Sequence, residues 1–355
     1  MIMESMKILG VMSGTSLDGL DLALCKFRCS KGKWNFEVLK AETIQYNLQD
    51  KEKLRSSMGL TSAELVKLDH EYGKWIGDIC NNFLIRNKVS TDLIASHGHT
   101  VFHNPKESYT LQIGNGHDIA AISNLPVIYD FRSMDIALGG QGAPLVPIGD
   151  DLLFPEYAAC INLGGFSNIS FRSGTERIAY DICPLNIALN FLAEKIQKEY
   201  DEDGRIGRKG NMNDELFQIL ENIPYYSVPS PKSLGKEWFS REFKSFLDAD
   251  LQINDIFRTV YEHLSSRIAE VLSGFAGKEV LVTGGGAHNS FLMELLRKKS
   301  GCKLILPGDL LIDFKEAIIF GFLGYLRYHN INNTLKSVTG AERDCCAGIL
   351  VNPRT

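Results

Sequence analysis

The chain has 355 residues, of which 44% are hydrophobic and 23% are charged, and its formal net charge is −5. A chain of this length is longer than a single hydrophobic core usually supports, so the length predicts two domains. The excess of acidic over basic residues argues against a nucleic-acid-binding protein. The segment before Lys7 lacks the pattern of a secretory signal, and the cysteines form no C-x-x-C pair, so we expect a cytoplasmic protein with reduced thiols.

The first 131 residues predict an α/β domain built on a mixed sheet. A helix is predicted to start at Thr61, because Thr61 and Glu64 have the spacing of a capping box and the apolar residues after them recur every three or four positions. Alternating apolar and polar residues predict the strands. The strands are residues 7–12, 20–27, 34–43, 93–96, 110–113 and 127–131, and a short helix covers 118–123.

The second half repeats this layout, because 158–173 predicts a strand, a glycine-bearing turn and a strand, as 6–27 does. Such weak internal duplication indicates two related domains. A strand, a glycine turn and a helix are predicted over 280–296, whereas 204–240 has few periodic signals and is interpreted mostly as loop. Further helices are predicted over 184–198 and 253–275.

The glycines and prolines of 139–147 are typical of a segment that crosses between domains. We therefore expect an N-terminal domain over 1–140, joined by residues 335–355, and a C-terminal domain over 141–334. The apolar run 317–326 is about half as long as a membrane span, so we interpret it as a buried helix and expect no membrane partner.

Residues 10–21 read GVMSGTSLDGLD and contain a glycine-bearing turn without the lysine of a Walker loop. The stretch from Gly14 to Ser16 lets backbone N–H groups and hydroxyls converge on an anion. Asp18 and Asp21 would repel a bare phosphate but suit one that arrives with Mg²⁺. The alternative is a plain hairpin in which the Asp-Gly pair makes the turn.

Two further glycine turns occur in the second half, NLGGFSN with Gly164 and Gly165, and TGGGAHN with Gly284, Gly285 and Gly286. The first follows a strand at the position that corresponds to the turn of residues 10–21, so it is a candidate partner in holding a polyphosphate. The second lies between a strand and a helix, where a helix N-terminus favours anions. Its alternative interpretation is an ordinary strand-to-helix turn.

Three charged residues are candidates for catalysis or substrate binding. Asp181 ends a predicted strand and is either a general base or a helix N-cap. Arg132 could bind a substrate carboxylate with two hydrogen bonds, or form a structural pair with Asp130. Glu316 lies in the first turn of a predicted apolar helix, where it either complements the helix dipole or binds sugar hydroxyls.

A cluster of histidines, His97, His99 and His103, supports the main rival interpretation, a metalloenzyme. On an extended strand these side chains could share one face. No acidic or cysteine residue with ligand-like spacing follows them, so we favour neutral histidines that hydrogen-bond in a polar cleft and assign no metal ligands.

Taken together, these motifs resemble those of the anhydro-N-acetylmuramic acid kinase family, within the superfamily of sugar kinases, actin and heat-shock-chaperone ATPases. The matching stretches run in order from residue 10 to 348 and cover nearly the whole chain. They are GVMSGTSLDGLD, SHGHTVFH, TLQIG, DFRSMDIALGGQGAPLVP, NLGGFSNIS, YDICPLN, DEDGRIGRKG, TGGGAHN, DFKEAIIFGFL and SVTGAERDCCAG.

The resemblance implies two α/β, RNase H-like domains, each a mixed sheet flanked by helices, with a nucleotide in the cleft between them. It also implies an ATP- and Mg²⁺-dependent kinase that hydrolytically opens 1,6-anhydro-N-acetylmuramic acid and phosphorylates O6 in cell-wall recycling. The expected partners are this amino sugar and ATP, with no nucleic acid and no membrane, and a homodimer is left open.

The resemblance also assigns roles residue by residue. Asp181 would be the catalytic base, and Thr100, Arg132 and Glu316 would contact the sugar. The nucleotide would be held by Gly14, Thr15, Ser16, Leu17, Asp18, Gly19, Leu20, Asp21, Gly164, Gly165, Gly284, Gly285 and Gly286.

The sequence departs from the family pattern at three places, one of which is the absence of the histidine expected after the proline run, where residues 147–154 offer only Gly149 and Asp150. Around the base the family usually reads Asp-Thr-Gly-Pro-Gly-Asn, where this chain has Ile182, Cys183 and Leu185, and His99 replaces the usual glutamine. Two alternatives therefore stay open: a divergent paralogue that phosphorylates another sugar, and an ATP-binding, chaperone-like module that is not a kinase.

Overall fold

The computed structural model describes residues 2–14 and 17–353, and the chain divides into two compact units. The first unit comprises Met1–Phe154 and Phe314–Thr355, and the second comprises Pro155–Asp313. The first unit therefore includes 141–154 and 314–334, which the sequence analysis placed in the C-terminal domain. The domain boundaries at residues 140 and 335 remain a prediction.

In each half of the chain three consecutive strands come first, and mixed helices and strands follow. Up to residue 154 they are β1 (Ile2–Ser13), β2 (Gly19–Ser30), β3 (Lys33–Gln45), α1 (Leu48–Arg55), α2 (Ser62–Asn87), β4 (Leu93–Asn104), β5 (Tyr109–Ile113), α3 (Gly116–Ser123), β6 (Val127–Tyr129), α4 (Ser133–Ala137) and α5 (Val146–Leu153). Then come β7 (Ala159–Leu163), β8 (Phe166–Ser173), β9 (Glu176–Pro184), α6 (Asn186–Glu194), α7 (Asp214–Glu221), α8 (Lys236–Trp238), α9 (Ile253–Leu272), β10 (Glu279–Thr283), α10 (Ser290–Lys299) and β11 (Lys303–Ile305). The chain closes with α11 (Asp309–Tyr328), α12 (Lys336–Thr339) and β12 (Ile349–Val351).

Both units contain a mixed sheet with the same connectivity. In the first unit the order is β12-β6-β4-β1-β2-β3, with β5 paired to β4, and in the second it is β11-β10-β7-β8-β9. In each, the first three strands of the unit form an antiparallel meander, and the next strand of the order lies parallel to the first. This repeat confirms the prediction of two α/β, RNase H-like cores with mixed sheets flanked by helices.

Helix α2 shows why its start could be predicted from local sequence. Thr61 is the N-cap, its Oγ1 accepts from the Glu64 N–H at 3.4 Å, and a Glu64 carboxylate oxygen accepts from the Thr61 N–H at 2.9 Å. This reciprocal capping satisfies two helix N–H donors that would otherwise lack partners. The predicted capping box is therefore confirmed.

The apolar run 317–326 lies inside α11, and each of its residues is buried. The helix packs so tightly on β1 that a Cβ added to Gly10 would lie 1.9 Å from the carbonyl oxygen of Ala317. Phe27 of β2 contacts the rings of Phe322 and Tyr325. These contacts confirm the interpretation as a buried helix, and no helix among residues 2–14 and 17–353 is both long and apolar enough to cross a membrane.

The core of the second unit forms around α9, whose Phe257, Leu264 and Ile268 are fully buried. The helix predicted over 184–198 is shorter than expected, because β9 runs through Pro184 and α6 ends at Glu194. The region 204–240, interpreted mostly as loop, contains α7, which buries Leu216 and Leu220.

Candidate functional site

The first glycine-bearing turn connects β1 to β2 in the first unit. The Leu17 N–H donates to the carbonyl oxygen of Gly14 at 3.3 Å, and Leu17 has φ 63°, so the chain reverses through a left-handed residue. Asp18 is exposed, whereas the Asp21 carboxylate accepts from the Thr43 hydroxyl at 2.6 Å. The turn therefore presents one exposed carboxylate and one that β3 orients.

Other members of the predicted nucleotide-binding set have different environments. Leu20 is fully buried in the core. A Cβ on Gly19 would lie 2.6 Å from a Thr43 methyl group, so Gly19 permits close packing on β3. Thr15 and Ser16 lie outside the described residues.

The second glycine turn is tied by its carbonyl groups to the start of α6. The Leu185 and Ile187 N–H groups donate to the carbonyl oxygen of Gly165 at 2.8 and 3.1 Å, and the Asn186 N–H donates to that of Gly164 at 3.2 Å. The Asn186 side chain also donates to the Leu163 carbonyl oxygen at 3.1 Å. Helix α6 thus fixes this turn through the backbone.

The third glycine turn packs against the second within the same unit. Cβ atoms on Gly284 and Gly286 would lie 2.5 Å from Asn162 Oδ1 and 2.8 Å from the Leu163 carbonyl oxygen. The helix N-terminus expected to attract an anion is instead capped by Asn289, whose side chain accepts from the Leu292 N–H at 3.0 Å. The glycine turn leads into a short 3₁₀ segment, Gly285–His288, and α10 starts only after that segment.

Two exposed glycines, Gly165 and Gly285, stand out in this pair of turns. A Cβ on Gly165 would meet no atom within 4 Å, and one on Gly285 would meet only Asn186 Nδ2 at 4.0 Å. Gly164, Gly284 and Gly286 are glycines for packing reasons, whereas these two leave backbone open to solvent. Within these two turns they are the positions at which a ligand can approach the main chain closely.

Asp181 lies in β9, half-buried, with its carboxylate held from one side. Its Oδ2 accepts from the Leu234 N–H at 2.8 Å, and burial raises the pKa of its carboxyl to about 6, against the opposing effect of that hydrogen bond. Its backbone N–H donates to the Lys232 carbonyl oxygen at 3.2 Å, and the Tyr225 hydroxyl donates to its carbonyl oxygen at 2.7 Å. A carboxylate with a pKa close to neutrality can take up a proton during a reaction.

The alternative interpretation of Asp181 as a helix N-cap is wrong. Residue Leu185 occupies the N-cap position of α6, and no side chain caps that helix. Asp181 lies before it, inside the strand, because β9 continues through Pro184.

Arg132 is half-buried in the first unit, at the start of α4. Its Nε and Nη2 donate to Nε2 of His97 at 3.0 and 2.8 Å, and its Nη1 donates to the Gly142 carbonyl oxygen at 2.6 Å. Burial lowers the pKa of Arg132 to about 10, which keeps it charged at neutral pH. The partner of Arg132 is thus a histidine and not Asp130, whose carboxylate accepts from the Ser133 N–H at 3.1 Å.

Glu316 lies close enough to Arg132 for their charges to interact. Its side chain keeps access to solvent, yet the surrounding protein raises the pKa of its carboxyl, and the charges of Arg132 and Lys315 oppose that rise. The expectation that Glu316 belongs to a first helical turn is wrong, because α11 begins at Asp309. Complementing the helix dipole therefore does not explain this glutamate.

The loop that follows Arg132 is organised around the buried carboxylate of Asp135. One oxygen accepts from the Gly142 N–H at 2.7 Å and the other from the Thr339 hydroxyl at 2.7 Å. A Cβ on Gly140 would lie 2.2 Å from Asp135 Oδ2. The GGQGAPL and SVTG stretches therefore meet at one side chain, which fixes the carbonyl group that binds Arg132.

Thr100 lies in β4, half-buried, and its hydroxyl accepts from the Gln112 side chain at 3.3 Å. The same amide donates to the Thr110 hydroxyl at 2.8 Å. Thr100 is thus part of a polar row across β4 and β5 in the unit that also contains Arg132 and Glu316.

The three histidines have separate partners and do not form a metal centre. His97 Nδ1 donates to the Gly98 carbonyl oxygen at 2.8 Å, and burial together with Arg132 holds its pKa well below the usual range, so it is neutral. His99 Nδ1 hydrogen-bonds to Ser13 at 3.1 Å, and His103 Nδ1 to Thr110 at 3.2 Å. Within residues 2–14 and 17–353 no three or more His, Cys, Asp or Glu side chains are grouped so that they could hold a metal ion, so a histidine metal centre has no support there.

The chain can now be compared with known proteins. The sequence profile described as anhydro-N-acetylmuramic acid kinase matches residues 6–353. The chain belongs to this family. An anhydro-N-acetylmuramic acid kinase from Bacillus cereus (strain G9842) is 33% identical and covers 98% of this chain and 100% of the relative. One from Bacillus thuringiensis subsp. konkukian (strain 97-27) is 32% identical, with the same coverage.

Membership of the anhydro-N-acetylmuramic acid kinase family confirms the resemblance and makes the chain an enzyme of the kinase class. The residues at which it departs from the family pattern beside Asp181 are buried: Ile182 is 3% exposed, and Cys183 and Leu185 are fully buried. Burial raises the pKa of the Cys183 thiol to about 12, so it is no nucleophile. These three side chains are part of the second unit's hydrophobic core and add no reactive group.

Two contacts of the site were missed by the sequence analysis. His97, which orients Arg132, was interpreted as a neutral histidine that hydrogen-bonds in a polar cleft, with a metal ligand as the rival, and its spacing carries no signal for an arginine partner. Lys315 Nζ forms a buried ion pair with Asp150 Oδ1 at 2.7 Å, one residue before Glu316. Only the folded chain brings these residues together, since 165 positions separate them in sequence.

Proposed function

We propose that the chain is an ATP- and Mg²⁺-dependent kinase that opens 1,6-anhydro-N-acetylmuramic acid with water and phosphorylates O6, giving N-acetylmuramic acid 6-phosphate for cell-wall recycling. The observation that carries this proposal is Asp181, a half-buried carboxylate whose pKa is raised to about 6. Family membership supports the kinase class, and the names of the two relatives support the sugar.

Asp181 supplies the base for the hydrolytic half of the reaction. It accepts a proton from water while the water oxygen bonds to the anomeric carbon and the bond from that carbon to O6 breaks. The Leu234 N–H holds one carboxylate oxygen, and the other accepts no hydrogen bond among the described residues, so it is the one that receives the proton. A depressed pKa would make this group too weak a base.

The departing O6 needs no proton from an acid, because it bonds to the γ-phosphorus of ATP as ADP leaves. One carboxylate therefore suffices where glycosidases use two. The proton taken up by Asp181 is returned to solvent afterwards, and the carboxylate is regenerated.

Arg132 and Glu316 are proposed to bind the sugar. The guanidinium of Arg132 is held by His97 and the Gly142 carbonyl oxygen, so its planar fork is pre-oriented for a carboxylate such as that of the lactyl group. Glu316 is exposed and can accept hydrogen bonds from sugar hydroxyls. Thr100 adds a hydroxyl from the same unit.

The glycine turns are proposed to bind the phosphates of ATP. Gly165 and Gly285 leave their backbone open, which fits an extended anionic chain that lies against the main chain. The carboxylates of Asp18 and Asp21 are hard oxygen ligands of the kind that Mg²⁺ binds directly or through water. When bound, Mg²⁺ neutralises charge on the phosphates of the nucleotide.

The test is a purified-enzyme assay with ATP, Mg²⁺ and 1,6-anhydro-N-acetylmuramic acid, with product identified by mass spectrometry and ADP release followed in parallel. We expect the 6-phosphate and ADP in equal amounts, and a loss of the order of 1,000-fold in kcat for Asp181→Asn. The matched control is Asp250→Asn, an exposed aspartate of the same unit, which should retain activity. ADP release only with a different anhydrohexose would instead identify a paralogue with another substrate.

A further inference from the structure

A cavity of about 270 Å³ lies in the second unit beside the edge strand β9. Tyr180 of β9, Ser230 and Lys232 of the segment after α7, and Arg267 and Glu270 of α9 line it. Tyr180 and Asp181 are consecutive in the strand, so their side chains point to opposite faces. The cavity is therefore distinct from the position of the Asp181 carboxylate.

The cavity is rich in hydrogen-bond donors. Lys232 Nζ donates to the carbonyl oxygens of Tyr225 and Tyr226 at 3.2 and 3.3 Å, and an ammonium group has a third N–H to offer. The buried Nε of Arg267 has no hydrogen-bond partner among the described residues. A buried donor without an acceptor is costly, so a shift of the Arg267 side chain that brings this Nε to a ligand oxygen would be favoured.

The charges that line the cavity also favour an anion. Lys232 and Arg267 are cations, and Arg267 Nη1 pairs with Glu270 Oε2 at 2.9 Å. The other Arg267 terminal nitrogen pairs with Glu221. Because the Glu270 side chain is 65% exposed, its pairing with Arg267 is weak and an incoming anion can compete with it.

The wall of the cavity is connected to Asp181 through the backbone. The Lys232 carbonyl oxygen accepts from the Asp181 N–H at 3.2 Å, and two residues later the Leu234 N–H donates to the Asp181 carboxylate at 2.8 Å. A ligand bound to Lys232 would therefore act on the segment that orients the carboxylate.

We propose that this cavity binds a small molecule bearing a carboxylate or phosphate group, and that its occupancy changes the hydrogen bond between Leu234 and Asp181. The proposal that an anion binds depends only on the cavity, whereas the proposed effect on turnover rests on the proposed function. Binding and turnover are therefore measured separately.

Binding is tested by NMR on the full-length, ¹⁵N-labelled protein, titrated with inorganic phosphate and, in a second series, with acetate at constant ionic strength. We expect saturable shifts of the Ser230, Lys232 and Leu234 amide signals with at least one anion, and the series that saturates identifies the preferred group. Shifts that do not saturate with either anion, or that leave these three amides unmoved, overturn the proposal.

Variants tie the binding to the cavity. Lys232→Gln should weaken binding of the preferred anion about fivefold and Lys232→Arg should restore it, while Glu270→Gln, which removes a competitor, should tighten binding about threefold. The matched controls Lys278→Gln and Glu279→Gln are exposed and lie outside the cavity. Equal effects of the Lys278 and Lys232 variants, or no tightening by Glu270→Gln, would overturn the assignment.

The effect on turnover is read from kcat with and without the saturating anion. We expect kcat to change in the native enzyme and to respond less in Lys232→Gln at the same anion concentration. If no turnover is found with any sugar, the proposed function fails while the NMR result still decides whether an anion binds. Saturable binding with an unchanged kcat would overturn the connection to Asp181 and leave the proposed function intact.

Discussion

The turns after β1 and after β7 occupy the same position in two sheets of the same order, yet they are built differently. After the first, Asp18 is exposed and Asp21 of β2 is oriented by Thr43. The second consists of Gly164 and Gly165, and the N–H groups at the start of α6 hold both carbonyl groups. A duplicated fold has thus provided one turn with an exposed carboxylate and one with exposed glycine backbone.

This difference suggests that the two turns bind different parts of a complex of a metal ion and a nucleotide. Carboxylates can hold the metal, whereas exposed glycine backbone can donate to phosphate oxygens without steric hindrance. Exchanging the two chemistries should therefore damage different kinetic constants. The predictions below test this division.

The largest effect is expected from a substitution in the turn between β1 and β2. Asp18→Asn removes the exposed carboxylate proposed to hold Mg²⁺, and kcat should fall on the order of 100-fold, with a higher Mg²⁺ concentration needed for half-maximal activity. The measurement is a Mg²⁺ titration at saturating ATP and sugar. The matched control, Asp78→Asn, changes an exposed aspartate of α2 and should behave as the native enzyme. An unchanged Mg²⁺ dependence in Asp18→Asn would argue that this turn is a plain hairpin.

A smaller effect is expected from the backbone turns. Gly165→Ala and Gly285→Ala place a methyl group where no protein atom lies closer than 4.0 Å, so neither should lower Tm. If ATP approaches there, KM for ATP should rise about tenfold, the equivalent of ~1.4 kcal/mol.

The control for the backbone turns is Gly274→Ala, which also meets no atom within 4 Å and should leave both KM and Tm unchanged. If Gly165→Ala and Gly285→Ala keep the native KM for ATP, the exposed backbone at these glycines has no role in binding ATP. The proposed difference between the two turns would then be wrong.

The smallest effect concerns stability at the base. The raised pKa of Asp181 means that the folded state disfavours its carboxylate, so this group's contribution to stability falls as pH rises from its unfolded pKa, near 4, to about 6. A rise in pKa of this size corresponds to ~3 kcal/mol, and because solvent screens this half-buried carboxylate, Asp181→Asn should be more stable than the native protein by about 1 kcal/mol at pH 8. The difference should vanish below pH 4, where both side chains are neutral. Equal unfolding free energies at pH 8 would show that the carboxylate carries no desolvation cost.

Sequence reasoning predicted the features that depend on local pattern. The capping box of α2 and the meander of β1, β2 and β3 follow from short-range spacing, and the repeat of the meander in the second half predicted the second core. Helix α7 was missed although its sequence carries a signal, because Leu216, Phe217, Ile219 and Leu220 recur at helical spacing after the N-cap Asn213.

The features of the site that sequence reasoning did not predict depend on contacts between residues that are distant in the sequence. No spacing rule relates His97 to Arg132, or Asn162 to Gly284, because the sheet and its loops bring them together. Glu316 was misinterpreted for a different, local reason: α11 starts before the apolar run, at Asp309, so Glu316 is not in the first turn.

The central claim, that Asp181 is the base of a kinase, is tested most directly by the dependence of kcat/KM on pH. Protonated Asp181 cannot accept a proton, so kcat/KM should rise tenfold per pH unit at low pH and level off above an apparent pKa of about 6. The measurement uses 1,6-anhydro-N-acetylmuramic acid as the varied substrate between pH 4.5 and 8, an interval chosen to span the raised pKa. A profile that is flat across this interval, or residual activity in Asp181→Asn with the same break as the native enzyme, would contradict the account.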